Sequence, residues 1–439
     1  MRGHQIVSFR DTRIMDSDFI ELGTRRVWGG DAAFGLSRLD RRQHLFVIGK
    51  SGTGKTTLLK NLIVAAIEAG EGIALLDPHG DVSQELLDLI PPWRTDHVLC
   101  FDPADLDHPI GLNLLAGVPP DQRHLVVSGV VGAFKGMFGH SWGPRMEFLL
   151  AMAVAALTEC QNVSLLALPR MLSDDRYRRW VLRQVTDTAV AHFWVEEYER
   201  WDDRFRAEAI SPVINKVQRV LLAAPMRAVL GQVRCGIDAR FVMDNRRVLI
   251  ANLSKGRLGA DNANFLGALL VTQFQLASMA RAGISEHERV DFTLVADEFQ
   301  NFATDDFASL LSESRKYRLS LVLATQFDAQ LQDDVRNAVF GNVGSIVSFR
   351  VGESDARVLA REFGNDFTLE HFTDLPNHEV MVKLLDRGVQ RVPFLGKTHE
   401  PAGRGNGRAH NVLSRSRQRH ARPRAVVEDR IRRWYRQRQ

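Results

Sequence analysis

The stretch HLFVIGKSGTGKT, His44 to Thr56, decides how the chain is read. A short apolar strand, His44 to Ile48, runs straight into a glycine-rich loop, Gly49 to Thr56. A helix follows with Leu58, Leu59, Leu62, Ile63, Ala66 and Ile67 on one face. Strand, glycine-rich turn and helix in this order are the context a phosphate-binding P-loop requires. Gly49, Gly52 and Gly54 let the backbone curl so that its N–H groups converge on an anion beside the positive end of the helix. The nucleotide-holding residues are expected to be Gly49, Lys50, Ser51, Gly52, Thr53, Gly54, Lys55, Thr56 and Thr57. Lys55 is placed for the β- and γ-phosphates and the Thr56 hydroxyl for magnesium, so ATP and Mg2+ are the expected cofactors.

A second signal lies far downstream. Asp291 to Ala296 reads as a buried strand that ends in Asp297-Glu298. Two acids at a strand end can be a helix cap. Beside a P-loop they read as a Walker B pair, with Asp297 near the metal and Glu298 placed to orient and deprotonate a water. A glutamate there argues for ATP hydrolysis rather than transfer to a small acceptor. A third strand, Leu319 to Ala324, ends in Thr325-Gln326. In ATPases that use such a glutamate, a strand lies between the Walker A and Walker B strands, and its polar tip faces the γ-phosphate. Gln326 fits that sensor role, or is an ordinary strand-end amide. Ser309 to Lys316 is a helix end carrying Arg315, a solvated side chain unless subunits form a ring, where it could reach a neighbour's γ-phosphate.

Composition sets the outer limits. The chain has 439 residues, enough for two to three domains; 45% are apolar and 25% charged, as in ordinary globular proteins. Cys100, Cys160 and Cys235 lie far apart without a CxxC pair, which argues against a zinc knuckle or disulfide scaffold. The apolar runs Phe148 to Leu157 and Phe265 to Ala280 are too short or too interrupted to span a bilayer. The expectation is a cytoplasmic protein that reaches a membrane only through partners. The net charge of +4 hides an asymmetry, since residues 404–439 hold twelve arginines against Glu428 and Asp429. That tail reads either as a solvated extension or as an electrostatic contact to nucleic acid or an acidic partner. Val427, Ile431, Trp434 and Tyr435 at helical spacing suggest a short helix that could dock on the protein itself.

Residues 119–240 break the strand–helix rhythm and read as helices throughout. Arg145 to Leu157 is apolar nearly all round, and Ser211-Pro212 reads as a helix start with serine as cap. Trp180, Trp194 and Trp201 are core residues or base-stacking platforms. The expected fold is therefore α/β: a RecA-like P-loop ATPase, with a mostly parallel sheet, flanking helices and an inserted all-α domain. Its parts are an N-terminal extension (1–40), a motor (41–118 and 241–400), the insertion (119–240) and an arginine-rich tail (401–439).

Taken in order, GKSGTGKT, LLDPHGD (Leu75 to Asp81), the stretch from Phe101 to Leu115, and SWGPRMEFLL (Ser141 to Leu150) resemble the HerA/FtsK superfamily of ring ATPases. VLIANLSKGRLG (Val248 to Gly259), VADEFQNF (Val295 to Phe302), ESRKYRL (Glu313 to Leu319), LATQ (Leu323 to Gln326) and FRVGESDARVLAREFG (Phe349 to Gly364) continue the likeness. Within that superfamily the chain is most similar to the TraG/TraD-type coupling proteins of type IV secretion and conjugation. The resemblance implies a homo-hexamer that hydrolyses ATP to move DNA, bound without sequence preference, through a central pore. It implies Lys55, Glu298, Gln326 and, across the subunit interface, Arg315 as catalytic residues, with Arg350 a second interface candidate. It implies Thr56 and Asp297 at the metal. A relaxase or type IV secretion channel is the implied partner, or a nuclease if the chain is a HerA-like translocase in repair or phage defence. Coupling proteins usually begin with transmembrane helices, and here some 40 hydrophilic residues precede the P-loop strand, fewer than a HerA-type barrel needs. A secretion-system assembly ATPase, a nucleotide-gated platform and a small-molecule kinase are the other readings; Glu298 with Gln326 argues against the platform.

Overall fold

Phe46 and Ile48 bury on one face of a sheet, while Leu45 and Val47 bury on the other. The same alternation holds for Leu76 against Leu75 and for Leu294 against Val295. Strands buried on both faces are what a parallel sheet between helical layers requires. The structure, a computed structural model, describes residues 19–304, 306–327, 331–364 and 366–436. Of the expected N-terminal extension, residues 1–18 lie outside the described residues, as do residues 437–439 of the tail.

In chain order the strands are β1 (Phe19–Val27), β2 (Gly30–Ser37), β3 (Leu45–Ile48), β4 (Gly72–Asp77), β5 (Val98–Phe101), β6 (Val248–Asn252) and β7 (Phe292–Ala296). They continue with β8 (Leu319–Thr325), β9 (Ser345–Ser348), β10 (Glu379–Lys383), β11 (Leu385–Asp386), β12 (Val389–Gln390) and β13 (Phe394–Thr398). Strands β11 and β12 form a small ribbon. The others form one sheet ordered β2-β1-β13-β10-β9-β3-β8-β7-β4-β6-β5. From β9 to β5 every neighbour is parallel; β10, β13, β1 and β2 add an antiparallel wing. This is the RecA-like arrangement. The wing was not anticipated: within the expected N-terminal extension, residues 19–37 form a hairpin across Trp28-Gly29 that extends the sheet.

The P-loop strand begins at Leu45, one residue later than its apolar pattern suggests. His44 has φ +64°, outside the strand region, and its ring staples two elements. Nε2 lies 3.0 Å from the Leu311 carbonyl and Nδ1 accepts the Leu321 N–H at 3.1 Å, so the ring is the neutral Nε2–H tautomer. Burial pushes its pKa down to about 4. Because the unfolded ring titrates near 6.5, it binds more protons than the folded one between those values. Stability from this group is complete above about pH 6.5 and lost as pH falls through 4, in total about 3 kcal/mol. Chemical denaturation at pH 7 and pH 5 should show about 2 kcal/mol of that loss in the wild type and less in His44→Gln.

Residues 120–244 are helical, with no strand among the described residues, and the last helix, Ala239–Asp244, straddles the expected boundary at 240. The apolar core of this region is continuous with one face of the sheet, joined through the Ala260–Met279 helix: Phe134 packs edge-on against Phe265 at 4.9 Å between centroids. Ala260–Gly283 is the one described segment long and apolar enough to cross a membrane, and it serves here as a core helix, 67% buried. Ser211-Pro212 does not start a helix. The helix runs Asp203–Leu222, capped by Asp202, which accepts the Phe205 N–H at 2.9 Å, and Pro212 lies inside it. Burial of Ala209, Val213 and Val217 outweighs the one backbone hydrogen bond that proline forgoes. Trp194 is fully buried in an aromatic cluster with Phe193 and Tyr198, and its Nε1 donates to Met152 O at 3.2 Å, so it is no stacking platform. Trp201 packs on the same cluster; Trp180 is partly exposed.

The arginine-rich tail folds back as two helices, Ala409–His420 and Arg424–Arg436. The first covers the edge strand β5: Val412 is buried and Ser416 Oγ accepts the Cys100 N–H at 2.8 Å. The second packs on the helical region, with Val427 buried and the Arg170 guanidinium over the Trp434 ring. Many tail arginines face the protein's own acids, Arg417 on Asp105 and Arg419 on Asp96 among them. Sheet edges left open invite pairing with other chains, and this helix closes one. Ser416→Ala leaves a buried edge N–H without its acceptor and should cost about 1–3 kcal/mol in denaturant melts.

Candidate functional site

The carboxyl ends of β3, β8, β7, β4 and β6 lie side by side, which places the tips of three motif-bearing strands at one edge. The register pairs Ile48 with Thr325, Leu323 with Ala296, and Ala296 with Leu76. The residues following these strands are Gly49, Gln326 and Asp297. Strand β8 therefore runs between the P-loop strand and the acidic strand, as the sequence reading anticipated.

The P-loop is held from below. Gly49 N donates to Thr325 O at 3.3 Å, Lys50 N to Arg350 O at 2.8 Å, and His378 N to Thr53 O at 2.8 Å. Gly52 and Gly54 have φ of +75° and +122°, which side-chain-bearing residues avoid. A Cβ on Gly49 would sit 2.5 Å from Phe349 Cβ, and one on Gly54 2.9 Å from His378 Nδ1, so Phe349 and His378 fix the floor of the loop. No side chain caps the Lys55–Glu68 helix, which leaves its first N–H groups for an anion. Lys55 is buried; its ammonium donates to the carbonyls of Gly49 and, at 3.2 Å, Lys50. Burial lowers its pKa against the pull of Glu298 and Asp297. Thr56 is exposed at the start of the helix.

Asp297 and Glu298 are both buried. Burial, then Glu298 and Asp77, push the Asp297 carboxyl up to about 6, with His79 and Lys55 opposing. Three carboxylates thus share one end of the sheet with too little positive charge, the condition a divalent cation would relieve. Glu298 adopts the left-handed conformation, φ 47°, ψ 50°, rare for a residue with a side chain. Its Oε2 accepts from Gln300 Nε2 at 2.7 Å. Asp77 anchors the adjoining turn by accepting three backbone N–H groups, from His79, Gly80 and Ser83, at 2.8–3.0 Å. Arg350 lies beside the P-loop, its guanidinium on Leu375 O and Asn377 Oδ1, both at 3.1 Å.

Arg315 is the one expected site residue not brought to this edge. It precedes β8, at the opposite end of the sheet, where its Nη1 donates to Gln43 Oε1 at 2.5 Å. Seven residues of β8 at about 3.3 Å each separate it from Gln326 by roughly 20 Å. It lines a cleft of about 1100 Å³ with Arg289, Lys316, Arg318 and Arg387. Phe349, His378, Asn301 and Lys255 also shape the site and were not singled out from sequence. Phe349, Asn301 and Lys255 stand in motif strings and His378 in none, and nothing in their spacing gives them a role.

A P-loop, an acidic strand and a polar-tipped strand between them define a RecA-like P-loop NTPase. A family model described as the central domain of helicase HerA matches residues 38–202. One described as the TraM recognition site of TraD and TraG matches residues 291–373. No curated protein matches the chain. Among solved structures, plasmid coupling protein TrwB in complex with ADP and Mg2+ shares the fold at TM-score 0.63 and 15% identity, covering 85% of this chain and 90% of that one. VirB4 of Thermoanaerobacter pseudethanolicus does so at TM-score 0.58 and 15% identity, covering 88% and 97%. The chain has the fold of a P-loop NTPase and is similar to HerA over residues 38–202 and to the TraG/TraD-type coupling proteins over residues 291–373.

Proposed function

We propose that the protein hydrolyses ATP with Mg2+ in a homo-hexameric ring and uses the cycle to move DNA, as a coupling-protein-type motor of type IV secretion. The observation that carries this reading is the alignment of Lys55, Gln326 and Asp297-Glu298 at the ends of three adjacent strands. The P-loop N–H groups and Lys55 hold the triphosphate. Thr56 and Asp297 would hold the metal, which when bound neutralises phosphate charge. Glu298 orients the attacking water and takes its proton, and Gln326 contacts the γ-phosphate. Arg315, too far from its own P-loop, serves a neighbour's site from the rim of the basic cleft. TrwB, solved with ADP and Mg2+, shares this fold and supports the cofactor assignment.

DNA held through its phosphate backbone would be bound without sequence preference and with steep salt dependence. Displacement of a third strand from a triplex by the full chain with ATP tests the translocase reading. Displacement that requires ATP and Glu298 supports it; ATP turnover without displacement sinks it. The HerA match over residues 38–202 favours a second reading, a HerA-like translocase working with a nuclease partner. It predicts the same displacement and differs in the partner recovered.

A further inference from the structure

We infer that Lys255 is a positioning residue for Glu298, acting through Asn301. The inference rests on the hydrolytic reading of Glu298 above and adds a residue from the one-turn helix Lys255–Leu258 that follows β6, two strands away from the Walker B strand. A lysine in the turn after a strand normally extends into water, where its four-carbon stem keeps its rotamer freedom. This one is anchored. Leu253 N donates to Asp77 O at 2.8 Å and Lys255 N to Pro78 O at 2.9 Å, which stitches the β6 turn to the β4 turn. From there Lys255 Nζ donates to Asn301 Oδ1 at 2.9 Å.

Asn301 passes the contact on. Its Nδ2 donates to the Glu298 carbonyl at 2.7 Å, and its backbone N–H reaches the same oxygen at 3.0 Å. An ammonium only donates, so it selects the amide oxygen of Asn301 and leaves the NH2 group for the carbonyl. With an apolar side chain at 255, only the Glu298 carbonyl would select that orientation, and the amide oxygen would lose its donor. The orientation matters because Glu298 occupies the left-handed region, a conformation that costs about 1–3 kcal/mol and persists only where its surroundings enforce it. Glu298 is also the charge that opposes the burial of the Lys255 ammonium. Lys255 thus steadies the backbone from which the glutamate projects, through the Asn301 amide rather than through the P-loop.

The consequence is a selective effect on turnover. In the full-length chain, Lys255→Met should lower kcat about 10- to 100-fold, the scale of a slightly misplaced catalytic group. KM for ATP and the affinity for a fluorescent ATP analogue should stay within about twofold, since uniform nucleotide binding is untouched. Lys255→Arg, which keeps charge and donor, should recover most of the rate. Asn301→Leu severs the same link from the other end without disturbing the β6 turn, and should reproduce the kcat loss even where Lys255→Met fails to fold. Normal kcat in either variant, or a loss that appears in KM, overturns the inference. Glu298→Gln measured alongside separates the two ideas. If it is inactive while Lys255→Met is normal, only the positioning role fails; if it turns over normally, the hydrolytic reading fails first.

Discussion

Glu298→Gln should bind nucleotide as the wild type does and hydrolyse it about 10²- to 10⁴-fold more slowly, the range associated with loss of a positioned general base. The substitution keeps size and hydrogen-bonding reach but removes the basic oxygen. Binding should survive because the loop proposed to hold phosphate is anchored at Gly49, Lys50 and Thr53 by Thr325, Arg350 and His378 rather than by the glutamate. Asp297→Asn should behave differently, weakening the metal-dependent part of binding. Equilibrium binding of a fluorescent ATP analogue, with single-turnover hydrolysis on the same samples, separates these outcomes. Rapid single-turnover hydrolysis by Glu298→Gln would remove the glutamate from the mechanism.

Arg315→Ala should lower turnover by about 10³- to 10⁵-fold in the assembled protein, the range for loss of an arginine finger. Its nucleotide affinity should remain unchanged. The reason is geometric: roughly 20 Å of β8 separates Arg315 from its own P-loop. A neutral amide, Gln43, holds its guanidinium, leaving its charge for an outside phosphate. Mixing makes the claim sharper. Lys55→Ala subunits retain the arginine and Arg315→Ala subunits retain the P-loop, so combining two inactive proteins should restore partial turnover. No recovery on mixing would mean that Arg315 does not act in trans.

The site was legible because its strongest signals are local and have flanks that test them. Gly49 to Thr56 is read from eight residues, but the strand before and the helix after make it specific. Asp297-Glu298 and Thr325-Gln326 could be placed because buried parallel strands are continuous apolar runs with polar ends. The wing was hidden for the opposite reason. Residues 19–37 are half polar, and their alternation is broken by a register shift between Glu21 and Gly23. The helix through Pro212 was misread because a serine before a proline is a sound local start signal, and only burial of Val213 and Val217 overrides it. Lys255 carried no signal: a lysine after a strand is the most ordinary of residues until its partner, 46 positions away, is known. The tail's composition suggested a solvated or nucleic-acid-binding segment; the helical spacing of Val427, Ile431 and Trp434 pointed instead to docking, and Val412, Ser416 and Val427 tie the tail to the body.

The central claim is that hydrolysis is performed by a ring and coupled to DNA. The most direct test is the ATP turnover of the full chain with and without double-stranded DNA, measured on samples whose sedimentation mass is known. The account predicts a hexamer whose turnover rises with DNA and falls again as salt screens the phosphate contacts. A monomer that hydrolyses ATP at the same rate with or without DNA would contradict it.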